Sequence, residues 1–124
     1  MTAVKKIWQD NYQLFIDGKW RDGEGAKFCG FIYSFTNKIN GKIYVGKTIQ
    51  SLKRRMKSHE RANSLIGNAI RKYGWDNFEI KVIEPCEKIE QLNEREKHFI
   101  KQLNCKYPNG YNITNGGDGG ASNS

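Results

Sequence analysis

Residues 31–46 read FIYSFTNKINGKIYVG, and the fold is decided there. Phe31-Ile32-Tyr33 and Tyr44-Val45-Gly46 are apolar, β-branched and aromatic strings of the kind that suit a pleated, half-buried surface. Asn40-Gly41 between them is the pair favoured by a tight two-residue hairpin turn. The pattern predicts two neighbouring antiparallel strands. With Asn40 and Gly41 as the turn, Ile39 stands opposite Lys42, and a period of two places Tyr33, Phe35, Tyr44 and Gly46 on one face. Gly46 then lies diagonally across from Tyr33 and leaves room for the backbone of a ligand to approach. Two phenols beside a glycine can be a reactive patch or ordinary sheet packing, and the hairpin alone leaves both open.

The chain downstream supplies partners for that face. Leu52 to Glu60 reads as a helix entered through Thr48 to Ser51, and at about 100° per residue Leu52, Arg55, Met56 and His59 share a stripe. Lys53, Arg54 and Lys57 point away from it. A second helix covers roughly Leu65 to Tyr73 and stops at Gly74. Phe78 to Ile83 alternates as a third strand, with Phe78, Ile80 and Val82 on one side. A long helix follows from about Glu87 to Leu103. Its apolar face carries Ile89, Leu92, Phe99, Ile100 and Leu103, and Glu96 projects into the middle of it. A carboxylate there needs a cation, because buried charge is costly unless paired. Arg55 could supply one in a structural salt bridge. Asn104 to Ile113 returns in extended form. The fold class is therefore α+β, a small three-stranded antiparallel sheet flanked by helices, in one domain over residues 30–115.

Residues 1–29 form an extension with a candidate hairpin, Gln13 to Trp20, around Asp17-Gly18. Residues 116–124 are a polar, glycine-rich tail or linker stub. No run of apolar residues is long enough to span a membrane and the N-terminus lacks signal-peptide order, so a soluble intracellular protein is expected. Cys29, Cys86 and Cys105 are widely spaced and form no CxxC pair, which argues against disulfides and a zinc site.

Charge is concentrated. Between positions 42 and 72 stand Lys42, Lys47, Lys53, Arg54, Arg55, Lys57, Arg61, Arg71 and Lys72 against Glu60 alone, which accounts for the whole net charge of +8. A positive surface beside the tyrosine face suits a phosphate backbone. Lys53, Arg54, Lys57, Arg61, Arg71 and Lys72 are the candidate nucleic-acid contacts. The other reading of the same residues is a solvated helix surface.

Gly41-Lys42-Ile43-Tyr44-Val45-Gly46-Lys47-Thr48 also satisfies the written pattern of a phosphate-binding P-loop. Ile43, Tyr44 and Val45 prefer extended structure to a loop curled around phosphates, and three strands leave little room for a parallel sheet. Nucleotide hydrolysis is the remote alternative.

In sum, the residues resemble the GIY-YIG nuclease family over about Gly30 to Ile113. Gly30-Phe31-Ile32-Tyr33 and Tyr44-Val45-Gly46 stand where the two signatures would be, Arg55 and His59 where the family has a helix arginine and a histidine one turn later. Glu96 in Asn93-Glu94-Arg95-Glu96 corresponds to the metal-binding glutamate and Asn112 to a late asparagine. Ala69-Ile70-Arg71-Lys72-Tyr73-Gly74, followed by Phe78, is similar to the homing-endonuclease branch. Two features depart from the pattern. Phe31 separates Gly30 from Ile32-Tyr33, and Arg61 stands near where some relatives carry another histidine.

The resemblance implies metal-dependent hydrolysis of DNA phosphodiester bonds by a homing or mobile-element endonuclease. Glu96 would hold one Mg²⁺ or Mn²⁺. Tyr33 would accept a proton from water or position it, with Lys47 and Arg55 favouring the phenolate and Tyr44 hydrogen-bonding it. Arg55 would fork onto the phosphate. His59 would relay a proton, contact the phosphate or simply pack, and Asn112 would fix local backbone. The alternatives are a restriction or structure-specific repair nuclease and a non-catalytic DNA-binding module. DNA is the partner expected, bound by a monomer or a transient dimer.

Overall fold

The computed structural model describes residues 29–114 and Gly116, so the candidate hairpin at Gln13 to Trp20 and most of the 116–124 tail lie outside the described residues. The hairpin at 31–46 forms with a longer turn than the sequence predicts. β1 (Gly30–Asn37) and β2 (Ile43–Thr48) pair antiparallel with Tyr33 opposite Gly46 and Phe35 opposite Tyr44. Asn37 N donates to Lys42 O at 2.9 Å and Gly41 N to Asn37 O at 2.8 Å, closing a loop of Lys38, Ile39, Asn40 and Gly41. A tight two-residue turn needs positive φ at both central residues. Here Gly41 has φ +77°, while Asn40 is not among the positive-φ residues. Side chains take over instead: Asn37 Oδ1 accepts from Ile39 N at 2.8 Å and Asn40 Oδ1 from Lys42 N at 2.9 Å. These are the local turns that asparagine favours. The register moves by two residues relative to expectation, which keeps every side chain on its expected face and brings Gly46 directly opposite Tyr33 rather than diagonal to it.

β3 (Phe78–Cys86) pairs antiparallel with the other side of β1, giving the order β2-β1-β3. Val82 faces Tyr33 and Glu84 faces Ile32, so Ile83 is an extra residue in the ladder. This bulge lets Phe78, Ile80 and Val82 join one face of the sheet while Ile83 and Cys86 pack on the other.

The two faces bury different helices. Phe31, Tyr33, Phe35 and Tyr44 pack against α1 (Leu52–Arg61) through Leu52 and against α2 (Leu65–Tyr73) through Ile66, Ala69 and Ile70. Ile32 and Val45 pack against Leu92 and Ile100 of α3 (Ile89–Gln102). Ser51 Oγ caps α1 by accepting from Arg54 N, and Ser64 Oγ caps α2 by accepting from Gly67 N, each at 3.1 Å. Gly74, at φ +83°, ends α2. On α3 the apolar face is shorter than expected. Leu92, Glu96 and Ile100 are buried and Phe99 is half-buried, but Ile89 and Leu103 are 59% and 38% exposed. Both lie at the helix ends, where the periodicity no longer faces the sheet.

The segment after α3 is a series of turns rather than the extended return expected, and it clips the free edge of β2. Tyr111 N donates to Ile43 O at 2.9 Å. The Asn112 side chain accepts from Val45 N at 2.9 Å and donates to Val45 O at 2.8 Å, doing for β2 what a fourth strand would. The P-loop reading fails here as well: Ile43 to Thr48 lie in the ladder with β1, not around a phosphate. Among the described residues no helix is long and apolar enough to cross a membrane.

Asn112→Ala removes both bonds and leaves the Val45 backbone groups without their buried partner. A loss of about 2 kcal/mol is expected, read as a lower midpoint in urea unfolding.

Candidate active site

Tyr33 is the centre of the site. It lies in the middle strand, is fully buried, and its hydroxyl is 2.7 Å from His59 Nε2. Arg55 Nε donates to the same oxygen at 3.5 Å. Arg55 and His59 are one turn apart on α1, so the stripe expected from the sequence brings both onto one phenol. The His59 ring stands edge-on to Tyr44 at 4.9 Å and to Phe35 at 5.5 Å between centroids.

Gly46 leaves room for this arrangement, although the space is filled by the protein rather than open to a ligand. A Cβ at Gly46 would stand 2.5 Å from the Tyr33 hydroxyl oxygen and 2.9 Å from Tyr44 Cε2.

At the phenol, burial and the cation expected to favour the phenolate oppose each other. Burial raises the Tyr33 pKa above the usual phenol value; the Arg55 charge and hydrogen bonds from Arg55 and Tyr44 oppose that rise, and Glu96 adds to it. Desolvation dominates, so Tyr33 is a neutral phenol here. Burial, reinforced by the Arg55 charge, pushes His59 down to about 3, so the imidazole is neutral as well. With Arg55 donating into the phenol oxygen, the Tyr33 O–H donates to His59 Nε2 and the ring proton is assigned to Nδ1.

Glu96 is buried, 8% exposed, as its place on the α3 wheel predicts. Lys47 alternates to the α3 side of the sheet, where its Nζ pairs with Glu96 Oε1 at 3.3 Å and donates to Asn93 Oδ1 at 2.7 Å. The expected position of Lys47 beside the phenols is thus replaced by one beside the carboxylate. Asn93 is a site neighbour that the sequence reading missed. Its signal was the spacing of three residues to Glu96 along one helix face. Gly116 also borders the carboxylate, since a Cβ built there would lie 3.1 Å from Glu96 Oε1. Asn112 holds backbone, as expected.

Lys53, Arg54, Lys57, Arg61, Arg71 and Lys72 are all exposed on α1 and α2. Arg71 is engaged in joining those helices, donating to Glu60 O at 2.7 Å and to Ala62 O at 2.9 Å.

Residues 29–112 match the model of the GIY-YIG catalytic domain. The chain is 33% identical over 90 residues to the "Putative endonuclease segB" of Enterobacteria phage T4, covering 73% of this chain and 40% of that one. It is 35% identical over 91 residues to the intron-associated endonuclease 1 of the same phage, covering 66% of this chain and 36% of that one. It therefore spans less than half the length of these curated relatives. Among solved structures, the catalytic domain of homing endonuclease I-TevI superposes with a TM-score of 0.57 at 30% identity, covering 68% of this chain and 98% of that one.

The low His59 value makes stability depend on pH. Between about 3 and the ordinary 6.5 the unfolded chain binds a proton at this histidine that the folded chain does not. Its contribution is complete above pH 6.5 and is lost as pH falls towards 3. The urea midpoint should fall between pH 6.5 and 4.5, and His59→Gln should flatten that dependence.

Proposed function

This chain belongs to the GIY-YIG catalytic domain family, and from that membership we propose a metal-dependent endonuclease that hydrolyses DNA phosphodiester bonds, of the homing or mobile-element type. The observation that carries the reading is the Tyr33 oxygen, in contact with His59 and Arg55 and within the field of Glu96. The endonuclease names of the phage relatives, one of them intron-associated, support it.

Glu96 would hold the divalent cation. It offers a hard carboxylate at the site, and among the described residues no three potential metal ligands gather. That donor set fits Mg²⁺ or Mn²⁺, which keep several waters and bind through one or two carboxylates plus a substrate phosphate. Bound there, the ion would supply charge neutralisation at the phosphoryl oxygens and a more acidic water.

The chain's own residues would do the rest. A water that donates to the Tyr33 oxygen can lose its proton to it as the phenol passes its own proton to His59 Nε2. Charge then moves from the water to a buried imidazole, which Arg55 opposes and the substrate phosphate favours. Arg55, always protonated, would donate to a phosphoryl oxygen in the geometry a guanidinium fork allows. Tyr44 and Phe35 hold the imidazole ring in place. The exposed cations of α1 and α2 would take the flanking backbone phosphates. DNA is thus the partner. One centre cuts one strand, so double-strand cleavage would need a transient dimer or reorientation.

Conversion of supercoiled plasmid to open circle, with Mg²⁺ or Mn²⁺ and with EDTA, tests the reading. Glu96→Gln should abolish nicking and leave duplex affinity largely intact; full activity in that variant removes the proposed role of Glu96. Tyr33→Phe should keep the thermal midpoint within a few degrees and lower the rate by about 10² to 10⁴, the range for positioned proton transfer.

A further inference from the structure

α3 carries a second row of side chains beside its buried one. Lys97, Ile100, Lys101 and Asn104 follow at helical spacing and, with Lys106 from the segment beyond the helix, line an open cavity of about 430 Å³. Three exposed lysines thus line one cavity. Among the described residues no carboxylate lies within ion-pair reach of any of them. Lys101, in the last turn of α3, can be explained by the helix dipole. Lys106 cannot, because it follows the helix and still brings its charge to the same cavity. Like charges that line one cavity repel one another, and an anion seated among them relieves that repulsion.

The cavity adjoins the catalytic carboxylate. Ile100 lines it, and Gly116 touches both: a Cβ at Gly116 would be 2.7 Å from Ile100 Cδ1 and 3.1 Å from Glu96 Oε1. Glu96 to Lys101 is about 7.5 Å along the helix axis.

We propose that this cavity seats backbone phosphates of the cleaved strand that flank the scissile bond, through Lys97, Lys101 and Lys106. It is a contact surface distinct from the basic residues of α1 and α2, and it rests on the endonuclease reading because it takes Glu96 as the place of the scissile phosphate. Its contribution is sequence-independent, since lysine and phosphate meet as charges.

The test compares two paired substitutions of equal charge in the full chain. K101Q/K106Q removes two cavity lysines. K38Q/K81Q removes one lysine from the β1–β2 loop and one from β3, at the sheet edge opposite β2. Affinity for a short duplex is measured by fluorescence anisotropy across a salt series. The cavity pair should bind about 10-fold more weakly and lower the slope of log affinity against log salt by about 1.8. The control pair should stay within about 2-fold, and K101R/K106R should restore both readouts. A cavity pair indistinguishable from the control overturns the proposal, as does an arginine pair as weak as the glutamine pair, which would point to packing rather than charge. The two readings fail separately. A parent chain that nicks no plasmid with Mg²⁺ or Mn²⁺ defeats the endonuclease assignment, whereas a parent chain that nicks beside a cavity pair indistinguishable from the control defeats only the cavity contact.

Discussion

A Cβ at position 46 would stand 2.5 Å from the Tyr33 hydroxyl, so the site depends on a missing side chain in the strand opposite. The register places Gly46 directly across from Tyr33. The phenol can therefore lie back over β2 and reach His59 and Arg55 on α1. Any larger residue would meet either the Tyr33 ring or the Tyr44 ring, and a close-packed interior has no slack for it. Sheet pairing, helix docking and the hydrogen bond to His59 are in this sense one constraint, imposed by a residue that has no side chain.

Two opposed effects meet at the phenol. Removing it from water holds the proton on, and the guanidinium nearby pulls the other way without prevailing. His59 is subject to the same burial and the same cation, both of which keep it unprotonated. The result is a neutral donor hydrogen-bonded to a neutral acceptor in a buried aromatic setting, an arrangement with a defined direction for the proton. Acidic charge is held on the other face of the sheet, where Glu96 meets Lys47. β2 links the two halves, since Gly46 serves one face and Lys47, its neighbour in sequence, the other.

Much of this was legible from spacing. The strand period put the two tyrosines and Gly46 on one face, and the helix period put Arg55 with His59 and left Glu96 alone among apolar residues. Both are local regularities that the chain expresses wherever the element forms. The turn was less legible, because Asn37 and Asn40 use their side chains to build a longer loop that the Asn40-Gly41 pair does not announce. The bulge at Ile83 is set by pairing with β1, which no local pattern in β3 encodes. The weight of burial on the phenol was not legible, because burial depth is a property of the assembled core, while a neighbouring cation such as Arg55, which does lower the phenol's pKa, can be counted from the sequence. Asn93 went unnoticed for a related reason: its partner Lys47 comes from a strand far away in the chain.

The clip that Tyr111 and Asn112 place on β2 has a consequence for self-association. An uncovered outer strand invites another molecule to add to the sheet. Here the Val45 backbone groups are already occupied by a side-chain amide, a substitute that cannot propagate a ladder. The opposite border is guarded differently, by Pro85, which has no N–H to offer, and by the exposed charges of Glu79 and Lys81. Among the described residues, neither border of the sheet therefore offers a strand that a second copy could extend.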